Sequence, residues 1–224
     1  MIPYKDLTQT HRFPLVTVTL ILVNIAVFAL ELFLPEPDAT QFLYRYAVVP
    51  SEFRLGHNLP ISLGPPPFLT TLTALFLHGD FFHLAGNMLY LWIFGDNVEE
   101  RLGKTRFIVF YLLCGSVATW IQVYASFDSK IPLLGASGAI AGVLAAYLWL
   151  YPKGKVAVLV PIFIFLKTVV LPAWLVLGGW ILIQVLEVQF SPGKAMGGVA
   201  YYAHIGGFAA GLLLFPALRP RQRR

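Results

Sequence analysis

The chain has 224 residues, of which 58% are hydrophobic and only 12% charged. A soluble globular domain carries about 25% charged residues, so this composition excludes a disordered chain and an ordinary soluble enzyme. One cysteine, Cys114, excludes an intramolecular disulfide and a cysteine-rich metal site, and its apolar surroundings in the sequence make it a packing residue. The net charge is +5, and the bases cluster at the ends of apolar runs. That placement assigns the excess to membrane orientation rather than to nucleic acid.

At ~20 residues per crossing, the chain has room for about six membrane helices and no large soluble domain. Residues 1–14 form an N-terminal segment ahead of the first apolar run, 15–34. That run is too long for a signal-peptide core and reads as a retained span. Residues 35–80 follow, with Gly64-Pro65-Pro66-Pro67 to break helix and several aromatics suited to a membrane interface. Further spans fall at 81–98, 107–125, 137–151, 171–190 and 199–218, before a basic tail at 219–224. The fourth is short for a crossing of ~30 Å at ~1.5 Å per residue, so its neighbours must enclose one end. Residues 156–170 are apolar but contain Pro161 and Lys167, and Pro172 follows. They are expected to form an interfacial or re-entrant loop.

With the N-terminus inside, the inner segments hold eleven Lys and Arg residues and the outer segments four, leaving Lys167 unassigned. Positive charge favours the cytoplasmic side. Six spans then place both termini in the cytoplasm, and 35–80 becomes a large outer loop.

Polar side chains inside a span are candidates for function. His83 and Asn87, four apart, share one helix face, and His78 lies just before them. Asp80 reads as the N-cap of that helix. In Gly135-Ala136-Ser137-Gly138 a serine opens an apolar helix, whose positive end can stabilise an oxyanion. The same small residues, with Gly142, can also serve helix packing. His204 stands one turn before Gly207 and Gly211, a smooth face for close helix approach. In the six-span topology these residues enter from the outer side and share a depth to within roughly 10 Å. A Ser and a His brought together form a nucleophile and its base. No Asp or Glu shares that depth, which points to a dyad. The absence of H-E-x-x-H disfavours zinc peptidase chemistry, and no metal or other cofactor is expected.

Taken together and in order, His78-x4-His83-x3-Asn87, Val98-Glu99-Glu100-Arg101-Leu102-Gly103, Gly135-Ala136-Ser137-Gly138 and Ala203-His204-x2-Gly207-x3-Gly211 resemble the rhomboid family of intramembrane serine proteases. The resemblance implies an all-α, six-transmembrane-helix bundle with a large first outer loop. It implies Ser137 as nucleophile and His204 as general base. His83 and Asn87, with the Ser137 backbone N–H, would stabilise the oxyanion. Gly135, Gly138 and Gly207 would support the site, and Glu99 and Arg101 would hold helix ends together on the cytoplasmic side. The fifth helix and the loop near residues 191–198 would act as gate and cap. Two departures stand out. Leu69-Thr70 replaces a Trp-Arg pair common in the family, and Ala141 replaces an aromatic residue that stacks on the catalytic histidine.

The expected activity is endoproteolysis in or near the outer end of a substrate transmembrane helix, with Gly, Pro or small residues near the cut. Expected partners are single-span or polytopic membrane proteins and membrane lipids, with no nucleic acid, and a monomer is the expected form. The expected location is a prokaryotic plasma membrane. Rival readings are a proton-coupled carrier and a non-catalytic scaffold that binds client helices.

Overall fold

The computed structural model describes residues 2–163, 165–190 and 199–220. The chain opens with β1 (Ile2–Asp6) and the apolar helix α1 (Leu15–Phe33). Three short helices follow: α2 (Asp38–Tyr46), α3 (Pro50–Leu55) and α4 (Pro67–Thr73). Two long helices, α5 (Phe81–Leu102) and α6 (Lys104–Ala125), lead to α7 (Ser137–Leu150). Strands β2 (Lys155–Ile162) and β3 (Phe165–Pro172) come next, before α8 (Ala173–Phe190) and α9 (Tyr201–Leu218).

Among the described residues four helices, α1, α6, α8 and α9, are long and apolar enough to cross a membrane. The protein is therefore a mostly helical integral membrane protein. Helix α5 is as long as α6, at 22 residues, but carries Asp96, Glu99, Glu100 and Arg101 in its last two turns. Helix α7 has only 14 residues, and every residue from Gly138 to Tyr147 is buried. At ~1.5 Å per residue it is about 21 Å long, so it is enclosed by protein rather than by lipid. Its composition suits that position, because Gly and Ala let neighbouring backbones approach.

The described residues of 156–170, expected as an interfacial or re-entrant loop, form two strands and a turn rather than an irregular loop. Those residues lie in an antiparallel hairpin in which Val156 pairs with Leu171, Val158 with Val169 and Val160 with Lys167. The N-terminal strand β1 joins it, giving a three-stranded sheet of order β1-β2-β3. Beta-branched residues favour strands, but an apolar run alone does not distinguish a strand from a buried helix or a membrane dip. The third strand comes from more than a hundred residues upstream, and pairing with it converts the run into a sheet. Val156 and Val158 are fully buried within the hydrophobic core of the helices.

Residues 35–80 are also ordered by specific contacts. The buried carboxylate of Glu52 accepts from the Leu59 N–H at 2.7 Å and from the Ser62 hydroxyl. Arg45 Nε donates to the Leu63 carbonyl at 2.7 Å. Val48 and Leu133 exchange backbone hydrogen bonds of 3.0 and 2.7 Å, which ties this region to the segment before α7. Asp80 caps α5 as expected, accepting the His83 N–H at 2.9 Å.

Candidate active site

Ser137 is the first residue of α7 and follows a turn at Gly135 with φ +116°. Side-chain-bearing residues rarely adopt that φ. Space is short as well, since a Cβ on Gly135 would lie 2.7 Å from the His83 ring and 3.6 Å from Asn87 Nδ2. The Gly135 N–H donates to the Ala74 carbonyl at 2.8 Å. The turn is thus moulded between α5 and the region ahead of it.

His204, in the first turn of α9, places Nε2 2.8 Å from Ser137 Oγ. Two glycines permit this closeness. A Cβ on Gly207 would collide with the Gly138 carbonyl, and one on Gly211 with the Gly142 backbone. Helices α7 and α9 therefore touch main chain to main chain, one turn below the Ser–His contact.

The other nitrogen of His204, Nδ1, lies 2.7 Å from Gln184 Oε1 on α8. Trp180, one turn earlier on α8, faces the imidazole with ring centroids 5.5 Å apart at 39°. Sequence reasoning missed both residues. The search for a third member of the dyad considered only carboxylates, and Gln184 is a neutral amide. The rule that picked out the histidines applies to it equally, since it is a buried polar side chain within an apolar span. Trp180 supplies an aromatic neighbour where Ala141, fully buried in α7, has no ring to offer.

His83 and Asn87 border the Gly135 turn from α5. Asn87 Nδ2 lies 2.9 Å from His78 Nε2, and the His78 and His83 rings meet edge to face at 5.1 Å. Burial, and then the neighbouring His83, push the His78 imidazole down to about 4. It is neutral near pH 7 and accepts from the Asn87 amide. His78 was noticed in the sequence without a role, and this contact supplies one. A small cavity of about 30 Å³ beside Ser137, bordered by Thr119, Gln122 and Ala203, has room for a water or two.

Glu99 and Arg101 lie far from this cluster, at the opposite end of α5. The Glu99 carboxylate accepts the N–H groups of Val16 and Thr17 at 3.0 and 2.8 Å and the Thr17 hydroxyl at 2.8 Å. It satisfies donors at the N-terminus of α1 that have no partner within the helix. Arg101 Nε is buried with no hydrogen-bond partner among the described residues. The expected cap at 191–198 lies outside the described residues. Among the described residues no cluster of His, Cys, Asp or Glu could hold a metal ion.

The rhomboid domain family model matches residues 66–221, most of the chain. Rhomboid protein 1, mitochondrial, of Saccharomyces cerevisiae is 29% identical over 85% of this chain and 49% of its own length. The presenilin-associated rhomboid-like protein, mitochondrial, of Bos taurus is 37% identical over 42% of this chain and 26% of its own. Rhomboid protease GluP of Bacillus subtilis is 32% identical over 66% of this chain and 25% of its own. The chain thus spans about half the length of the yeast relative and about a quarter of the other two. Two of the three are mitochondrial by name, so the expectation of a prokaryotic plasma membrane finds no support in the comparisons.

Proposed function

The chain belongs to the rhomboid family, and on that premise we propose that it is an intramembrane serine endopeptidase working through Ser137 and His204. Hydrolase chemistry fits the family, which includes a protein named as a protease. The observation that carries the reading is the 2.8 Å contact between His204 Nε2 and Ser137 Oγ. That is hydrogen-bond reach for a base and the proton it removes.

In this reading Oγ adds to the scissile carbonyl carbon while Nε2 takes its proton. The negative charge on the carbonyl oxygen is met by the Ser137 N–H at the start of α7 and by His83 and Asn87. Protonated His204 then gives its proton to the departing amine as the C–N bond breaks, leaving an ester on Ser137. A water from the adjoining cavity adds to that ester, passing its proton to His204, which returns it to Ser137 Oγ as the ester C–O bond breaks and the second product leaves as a carboxylic acid. Nε2 must be unprotonated at the outset, so Nδ1 carries the hydrogen and donates it to Gln184 Oε1. Gln184 is a positioning residue. It selects the tautomer and holds the ring, and Trp180 limits the ring's tilt.

The six-span topology belongs to this reading, with residues 15–218 as the membrane domain, 1–14 and 219–224 on the cytoplasmic side, and 35–80 as the outer loop. Spans two, four and six are then α5, α7 and α9, which bring His83, Ser137 and His204 in from the outer face. Glu99 and Arg101 fall at the inner ends of the helices, and the glycines 135, 138 and 207 keep the site close-packed. Substrates are membrane proteins, single-span or polytopic. A helical segment hides its carbonyls in i→i+4 hydrogen bonds, so segments with Gly or Pro near the cut are favoured.

The test is cleavage of a single-span substrate, with Gly, Ala and Ser near its outer boundary, by protein reconstituted in liposomes. Ser137→Ala and His204→Ala should each lose at least ~10³-fold in rate. Undiminished cleavage by Ser137→Ala would overturn the assignment. Stable binding of the substrate by folded parent, without cleavage, would favour the client-binding scaffold instead.

A further inference from the structure

The β2–β3 hairpin joins α7 to α8, so it leaves and re-enters the membrane domain at the same end of the helices. Near its base one face of the sheet is core, with Val156 and Val158 fully buried beneath the helix ends. Side chains on a strand alternate between faces. Val169 and Lys167 pair with Val158 and Val160, so they share that helix-facing side, and Phe165 continues it two residues on. There the burial stops. Phe165 is 71% exposed, Leu166 68% and Phe163, in the turn, 100%. The hairpin therefore runs past the edge of the helices, and its helix-facing side is uncovered beyond that edge.

We propose that the β2–β3 hairpin lies along the bilayer surface at the α7–α8 end of the protein, with Phe163 and Phe165 entering the acyl boundary and Lys167 meeting anionic headgroups. Three features select lipid over other occupants. Strand β3 runs straight into the membrane helix α8, whose exposed Trp174 and Leu175 follow Pro172 within three residues. The apolar surface is thus continuous along the chain with a face already in the bilayer. The sheet and its approach also expose Lys5, Lys153, Lys155 and Lys167, while the acidic Asp6 is occupied by Tyr147 and Asn97. Basic side chains flanking an apolar tip match an anionic membrane surface. Finally, β3 is an edge strand that a second copy could extend, but Lys167 in its middle opposes such pairing, as charges on edge strands do.

The test places a fluorescent thiol label at the tip of the full-length protein in vesicles. Cys114 is the only cysteine and is buried. Phe163→Cys in a Cys114→Ala background therefore offers one reactive thiol. Phe163 is fully exposed, Phe165→Cys provides a second position, and exposed Gln9→Cys serves as the aqueous reference. In phosphatidylcholine vesicles containing phosphatidylglycerol, lipid-borne doxyl groups should quench labels at 163 and 165 several-fold more than iodide does, with the opposite order at residue 9. Lys167→Glu should weaken the doxyl quenching at least twofold, and omitting phosphatidylglycerol should do the same. Iodide quenching at 163 and 165 equal to that at residue 9 would place the tip in water and overturn the proposal. Shielding from both quenchers that grows with protein density would identify a second copy as the occupant and overturn it equally. Neither readout depends on proteolysis.

Discussion

Gln184 and Ser137 occupy opposite nitrogens of one imidazole, 2.7 and 2.8 Å from His204. The amide of Gln184 carries no charge, so it orients the ring without the stabilisation a carboxylate gives an imidazolium. Gln184→Leu should lower kcat about tenfold or more with KM little changed, less than the ~10⁴ lost when a charged orienting residue is replaced. Gln184→Glu should move the acid limb of the kcat profile to higher pH, because a carboxylate beside Nδ1 favours protonated His204. Unaltered kcat and pH profiles in both variants would remove Gln184 from the mechanism.

Glycine positions along the helices should differ sharply in tolerance. Gly207→Ala forces a methyl group into the Gly138 carbonyl, and overpacking of this kind costs ~1–3 kcal/mol or more. It should lower Tm and abolish cleavage by separating α7 from α9. A Cβ on Gly178 of α8 meets nothing within 4 Å. Gly178→Ala should be neutral or stabilising by up to ~1 kcal/mol, as helix propensity dictates. Equal Tm values for the two variants would contradict the main-chain contact.

Glu99 should matter for stability and little for chemistry. Three donors at the start of α1 converge on its carboxylate, and leaving buried donors unpaired costs ~1–3 kcal/mol. Glu99→Ala should lower Tm clearly, and Glu99→Gln, which keeps one acceptor oxygen, should lose less. Thermal melts in detergent read this directly. Identical melts for parent and Glu99→Ala would count against the contact.

Acid should loosen the His78–Asn87 pair. His78 titrates at about 4 in the folded protein against an ordinary value of 6.5. Between those values the unfolded chain binds a proton that the folded chain does not. Stability from this group is therefore intact above about pH 6.5 and is lost as pH falls towards 4. His83 and Asp80 act on its charge, and the Glu31 carboxylate of α1 accepts from its backbone. The parent should show a falling Tm from pH 7 to 5, and His78→Gln, which can still accept from Asn87, a shallower fall. Parallel slopes in the two proteins would rule His78 out as the source.

The sequence was most legible where one local property decided the outcome. Uninterrupted apolar runs at 15–34 and 107–125 announce α1 and α6, and Asp80 announces the start of α5 through its capping chemistry. Ser137 and His204 could be chosen because polar groups in apolar helices are conspicuous, and the fold sets them in contact. Legibility failed where the deciding partner was remote. Nothing local in Val156–Val170 says that residues 2–6 will pair beside it. Gln184 was passed over for a different reason. It carries no charge to draw notice, although it is the residue that reaches the imidazole.

The two neighbours that steady His204 from outside the α7–α9 contact, Trp180 and Gln184, sit one turn apart on α8. Most of α8 lies open on its outer face, with Trp174, Leu182, Ile183, Val185 and Leu186 exposed. Sideways travel of α8 within the bilayer would carry both neighbours away from the imidazole at once, while the glycine-lined contact held Ser137 and His204 in place. A base steadied from α8 is thus only as well oriented as that helix is held in place.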